Sequence, residues 1–151
     1  MAGVSALFET HLTVRDLEAS LAFYRDVLGL EPAATFASPP SAFCWVGGPG
    51  QGMLGLWQGS GPVGLRLHCA FTLPLADVLA APDRLRSLGV TPLDFHGAPA
   101  GEPSVIAWMP AASVFFHDPD SHSLEYLAML PGPGRPDLGV LPWSAWQAAQ
   151  G

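Results

Sequence analysis

The chain has 151 residues, 49% of them hydrophobic, which is enough to bury a core in one compact domain. It contains no lysine, and six arginines face thirteen acids for a formal net charge of −7. That balance excludes the basic patch needed to grip nucleic acid and favours a cationic or metal-chelated small molecule as partner.

Residues 7–14 alternate as a strand, with Glu9, His11 and Thr13 on one face and Phe8, Leu12 and Val14 near or on the other. Residues 16–29 predict a helix: an acid opens the segment, Leu17, Leu21, Tyr24 and Leu28 keep helical spacing, and Gly29 closes it. Strand-like runs follow at 30–36, 42–46 and 53–57, separated by Pro39-Pro40 and by Gly47-Gly48-Pro49-Gly50. The order then recurs, with a strand at 66–72, a helical region at 74–88 interrupted at Pro82, and strands near 90–95, 113–117 and 124–130. The two cysteines, Cys44 and Cys69, stand far apart and form no disulfide framework, no apolar run is long enough for a membrane span, and the start carries no cationic leader. A soluble cytoplasmic protein is the expectation.

The repeat has measurable offsets. Leu28-Gly29-Leu30 and Leu88-Gly89-Val90 lie 60 residues apart, Glu9 and His68 lie 59 apart, and Leu54-Gly55-Leu56 matches Leu124-Glu125-Tyr126 at 70. About ten extra residues therefore belong to the second copy, and the Pro- and Gly-rich stretch 97–110 is the expected place. Two copies of strand, helix and three strands, at about 5–60 and 65–130, make one α+β domain over residues 1–130, since neither copy buries its sheet face alone. Residues 131–151 form a tail rich in proline, with Trp143 and Trp146 expected on one face of a short helix docked on this domain or on a partner copy.

Glu125 is the residue that most needs a reason. It stands inside the apolar strand 123–130, and acids are rarely buried unless paired or metal-bound. The flanking cluster His117, Asp118, Asp120 and His122 surrounds an Asp-Pro-Asp turn and is explained by turn chemistry. The glycine-rich stretch 47–64 lacks the spacing and the lysine of a phosphate loop.

The runs Glu9-Thr10-His11-Leu12-Thr13-Val14-Arg15-Asp16-Leu17-Glu18 and Phe23-Tyr24-Arg25-Asp26-Val27-Leu28-Gly29-Leu30, with the closing Phe116-His117-Asp118-Pro119-Asp120 through Leu124-Glu125, resemble the vicinal oxygen chelate superfamily. That superfamily contains glyoxalase I, fosfomycin resistance enzymes, extradiol dioxygenases and bleomycin resistance proteins. The resemblance covers roughly residues 5–130 and implies paired βαβββ modules whose curved sheets enclose a shared cleft. It also implies a divalent metal held by the first and last strand of each module. Those slots hold Glu9, Gly55, His68 and Glu125; glycine offers no ligand, which leaves Glu9, His68 and Glu125. Glu9 fits the family spacing to Asp16, and His11, two residues along the same face, is the competing first ligand or a proton-transfer residue. One imidazole and two carboxylates suit Mn²⁺, Fe²⁺, Zn²⁺ or Ni²⁺.

The resemblance further implies a lyase- or isomerase-type enzyme, in which the metal stabilises an oxyanion or enediolate on a small substrate with neighbouring oxygens and Glu9 or Glu125 acts as base. Trp57, Trp108 and Phe115 are the candidate pocket residues, and a homodimer is expected. The alternative is a metal-free protein of the bleomycin resistance type that sequesters a cationic drug. A fosfomycin-type transferase is disfavoured by the absence of lysine. An extradiol dioxygenase is disfavoured by the missing second histidine, which only His11 supplies.

Overall fold

The computed structural model describes residues 3–59 and 65–150, so residues 60–64 of the glycine-rich stretch lie outside the described residues. The chain divides into two units, residues 1–67 and 68–151. In the first, β1 (Glu9–Val14) leads into α1 (Leu17–Asp26), followed by β2 (Pro32–Ala37), β3 (Pro40–Trp45) and β4 (Met53–Gln58). The sheet order is β1-β4-β3-β2, with β1 and β4 parallel. In the second, β5 (His68–Thr72), α2 (Leu75–Ser87), β6 (Ser104–Ile106), β7 (Ala111–His117) and β8 (Ser123–Met129) repeat the pattern, with β5 parallel to β8 and the order β5-β8-β7-β6. A short strand β9 (Val140–Pro142) adds a fifth position beside β6, and α3 (Trp143–Ala148) ends the chain. The α+β architecture, with sheets of four and five strands, is the one the sequence repeat called for.

Each unit buries one sheet face under its helix. Leu12, Val14, Leu54 and Leu56 are buried in the first unit with Tyr24 of α1, while Glu9, His11 and Thr13 alternate onto the opposite, open face of β1. Val114, Phe116, Leu124 and Tyr126 do the same in the second unit with Val78 and Leu85 of α2. The two helices also close alike: Gly29 and Gly89 both adopt positive φ, 71° and 75°, and the following residues return hydrogen bonds to Tyr24 and Leu85. Only glycine takes that conformation without strain, which accounts for the matching Leu-Gly pairs.

At the other end of α1, the Asp16 carboxylate accepts from the Ala19 N–H at 3.0 Å. Asp16→Ala is expected to cost about 1 kcal/mol in urea unfolding, the usual penalty for losing such a cap. An unchanged midpoint would mean that other groups satisfy the helix start.

Three expectations are corrected. α2 runs unbroken through Pro82, which lacks the N–H that would reach the Val78 carbonyl; its ring is buried, so packing offsets the lost bond. Residues 90–95 do not form a strand. Proline at 92 removes a donor, the Asp94 carboxylate folds the chain into a turn by accepting from the His96 and Ala98 N–H groups, and only Leu93 bridges to Phe115. The strand equivalent to β2 is instead β6, inside the stretch read as irregular, so the extra residues of the second copy precede β6 and fill the connection 88–103.

Candidate functional site

Among the described residues, no three His, Cys, Asp or Glu side chains gather as one metal-holding cluster. The predicted site residues instead form two imidazole–carboxylate pairs, one in each unit.

In the second unit, Glu125 sits on β8 between Ala70 of β5 and Phe115 of β7. Its side chain is only 7% exposed, whereas that of His68 is 50% exposed. His68 reaches diagonally across the parallel pair, placing Nε2 3.1 Å from Glu125 Oε2, and its Nδ1 lies 3.3 Å from the Ser123 hydroxyl. The ion pair to an arginine that would explain Glu125 as purely structural is not formed among the described residues. Glu125 Oε1 is buried with no hydrogen-bond partner among the described residues. A buried carboxylate oxygen left bare costs on the order of 1–3 kcal/mol, more if charged. Such an atom fits a cation, and imidazole nitrogen beside carboxylate oxygen is a donor set for borderline divalent metals.

In the first unit, Glu9 and His11 both stand on the open face of β1, with Glu9 Oε1 2.5 Å from His11 Nε2. The two side chains are 37% and 47% exposed. Residues two apart on a strand share a face, and here the imidazole also turns inward over β4. His11 is opposite Gly55, and its ring lies 5.7 Å from Phe43 and 5.5 Å from Trp57.

A family model matches residues 6–126, that of the Glyoxalase/Bleomycin resistance protein/Dioxygenase superfamily. The chain belongs to this superfamily. No curated protein matches it. Among solved structures of the superfamily fold, an integron cassette protein from the mobile metagenome of Halifax Harbour sewage outfall is 29% identical with a TM-score of 0.72, covering 83% of this chain and all of that one. Oxidase ChaP-H2 is 26% identical with a TM-score of 0.67, covering 88% of this chain and 100% of its own. A lactoylglutathione lyase from Agrobacterium tumefaciens is 27% identical, with a TM-score of 0.64 and coverage of 83% and 94%.

Of the superfamily-type pocket candidates, Trp57 lines the His11 pair and Phe115 the His68 pair, the latter with ring centroids 6.2 Å apart. Trp57 Nε1 is buried without a hydrogen-bond partner among the described residues. Trp108 stands apart in character, 64% exposed on the β6–β7 connection. Ser123 escaped the sequence reading, although its place two residues before Glu125 on one strand face was the available signal. Tyr126, next to Glu125, faces the helix side, and burial pushes its phenol up to about 12 against the pull of Arg84. It therefore stays protonated near neutrality. Burial likewise raises the Cys44 and Cys69 thiols, with Glu31 and Asp118 adding to it, so neither is a ready nucleophile.

The turn residues take the role expected of them: Asp118 Oδ1 accepts from the Asp120 and His122 N–H groups, and Ser121 adopts a φ of 69°. A groove of about 480 Å³ in the second unit is lined by Arg86, Thr91, Pro92 and residues 99–101 and contains none of the paired residues. Arg86 there is already bound to Asp83 and to the Ala100 carbonyl, which leaves the groove little chemistry.

Proposed function

We propose that this chain is a metal-dependent lyase or isomerase of the glyoxalase type, acting on a small substrate with two neighbouring oxygens, with His68 and Glu125 of the second unit as metal ligands. The observation that carries the reading is Glu125, a buried carboxylate with one oxygen on an imidazole and the other without a partner among the described residues. A bound divalent metal supplies Lewis-acid stabilisation of negative charge developing on the substrate oxygens. The chain's own residues do the rest. Ser123 holds the His68 ring through Nδ1, which fixes the direction in which Nε2 points. Glu125, shielded from water, keeps its position without competing solvent contacts. Glu9 and His11 form a short hydrogen-bonded pair able to accept a substrate proton and hold it. Phe43 and Trp57 in the first unit and Phe115 in the second offer apolar ring faces. We assign the protein to the cytoplasm, where Cys44 and Cys69 stay reduced, and to a homodimer, which light scattering checks.

The test is elemental analysis of the purified full chain after metal reconstitution, beside His68→Ala and Glu125→Ala. About one divalent ion per chain is expected in the wild type and none in either variant. A wild-type chain that stays metal-free after reconstitution rules the enzyme out. It would favour the second reading, sequestration of a cationic ligand, for which the net charge of −7 and the ring cluster of Phe36, Phe43 and Trp57 speak.

A further inference from the structure

We propose that Gly55 is a positioning residue for the Glu9–His11 pair: lacking a side chain, it lets the imidazole lie inward over β4, which holds Nε2 on Glu9 and leaves Nδ1 as the proton-accepting atom. The inference rests on the proton-transfer role given to that pair above and stays wholly within the first unit.

His11, Gly55 and Phe43 stand abreast on β1, β4 and β3, and Trp57 follows two residues after Gly55 on the same face. A Cβ at position 55 would lie 2.5 Å from His11 Cδ2, 3.0 Å from Nε2 and 3.2 Å from Phe43 Cε1. The ring therefore rests its Cδ2–Nε2 edge where a side chain at 55 would begin. Gly55 does not adopt a positive φ, so backbone conformation does not account for the glycine. Glycine weakens a strand interior and there commonly marks a close approach, and at Gly55 what approaches is this ring. The second unit shows the same limit on space: where the closing strand carries Glu125, the residue abreast on β5 is only Ala70.

The resting edge decides the chemistry of the ring. Nε2 faces Glu9 Oε1 at 2.5 Å, and a carboxylate oxygen only accepts, so Nε2 carries the proton of the neutral imidazole. Nδ1 lies on the edge away from Gly55, has no hydrogen-bond partner among the described residues, and holds the lone pair. Phe43 and Trp57 flank the ring at 5.7 and 5.5 Å, and the bare backbone of Gly55 is its floor. The His11 side chain is nonetheless 47% exposed, so a methyl group added at 55 pushes the ring towards water rather than breaking the sheet.

The test is nitrogen-15 NMR of the metal-free full chain in mildly alkaline buffer, where imidazole is neutral, with His11→Gln to assign the ring signals. The wild type is expected to show one tautomer, protonated at Nε2, and nuclear Overhauser contacts from the ring to the Gly55 α-protons. In Gly55→Ala the urea midpoint is expected to hold or rise, since alanine restricts the unfolded chain, while the His11 signals move to the average of two tautomers in a solvated ring. Glu9→Gln leaves Gly55 bare, so the contacts between ring and Gly55 are expected to persist. Gly55→Ala keeping the wild-type tautomer, or Glu9→Gln losing those contacts, would overturn the positioning role. A wild-type ring already mixed in tautomer, or protonated at Nδ1, would instead bring down the Glu9–His11 proton pair on which the inference rests.

Discussion

Glu125→Leu should make the metal-free protein more stable, by about 1–3 kcal/mol in chemical denaturation, and should abolish metal binding. Glu125 is an expensive residue in its position: its side chain is 7% exposed, its single partner is a half-exposed imidazole, and Oε1 meets no donor among the described residues. Leucine of similar size beside Ala70 and Phe115 removes the desolvation cost and lets His68 turn to water. Replacing a buried ionic group by an apolar one is neutral or stabilising when the original geometry leaves an atom unpaired. Metal then reverses the order. At a free concentration 100 times the dissociation constant, binding adds about 2.7 kcal/mol to the wild type and nothing to the variant. The crossing of the two stabilities is the signature of a residue kept for its ligand. A variant that is less stable than the metal-free wild type by 1 kcal/mol or more would mark the His68–Glu125 pair as structural.

That pair also shows what was legible in the sequence. The offsets of 59 and 70 residues align β1 with β5 and β4 with β8, and the structure pairs β1 with β4 and β5 with β8, both in parallel. Alternation placed Glu9 and His11 on the open face of β1 correctly, because hydrophobic burial enforces a period of two. What alternation does not encode is where a side chain turns after leaving the strand. The fold of His11 over Gly55 depends on the register between β1 and β4, and strands whose paired residues, such as His11 and Gly55, are 44 apart in sequence reveal that register only once paired. The space beside Gly55 is occupied from across the sheet by the His11 ring.

The short strands were hidden for a different reason. β6 is three residues long and wholly buried, so Ser104, Val105 and Ile106 show no alternation, and β9 is equally short. Strands of that length are made by their neighbours rather than by their own pattern. The proline-rich composition of 97–110 pointed to irregular chain and concealed the strand that takes the place of β2.

The same concealment applies to the tail, and Trp146→Ala should expose it by destabilising the second unit by about 3–5 kcal/mol. The sequence placed Trp143 and Trp146 on one helix face, yet Trp146 is 6% exposed while Trp143 is half-buried at the start of α3. Three connections hold that helix to the sheet. β9 pairs with β6 along its length, the Trp143 N–H donates to the Pro103 carbonyl at 2.9 Å, and Glu102 accepts from the Ser144 N–H and hydroxyl at 2.8 and 2.9 Å. Glu102 thereby caps a helix 42 residues further along the chain. A six-residue helix has no stability of its own, so the buried indole and these bonds are what keep it in place. By occupying the side of β6 that would otherwise be an open edge, β9 also removes a row of unpaired backbone groups from the sheet. Urea unfolding of Trp146→Ala beside Trp143→Ala separates a buried anchor from a partly exposed neighbour, and the first should cost the larger amount. A loss below about 1 kcal/mol at Trp146 would mean that residues 131–150 are a detachable strap rather than a fifth strand and its lock.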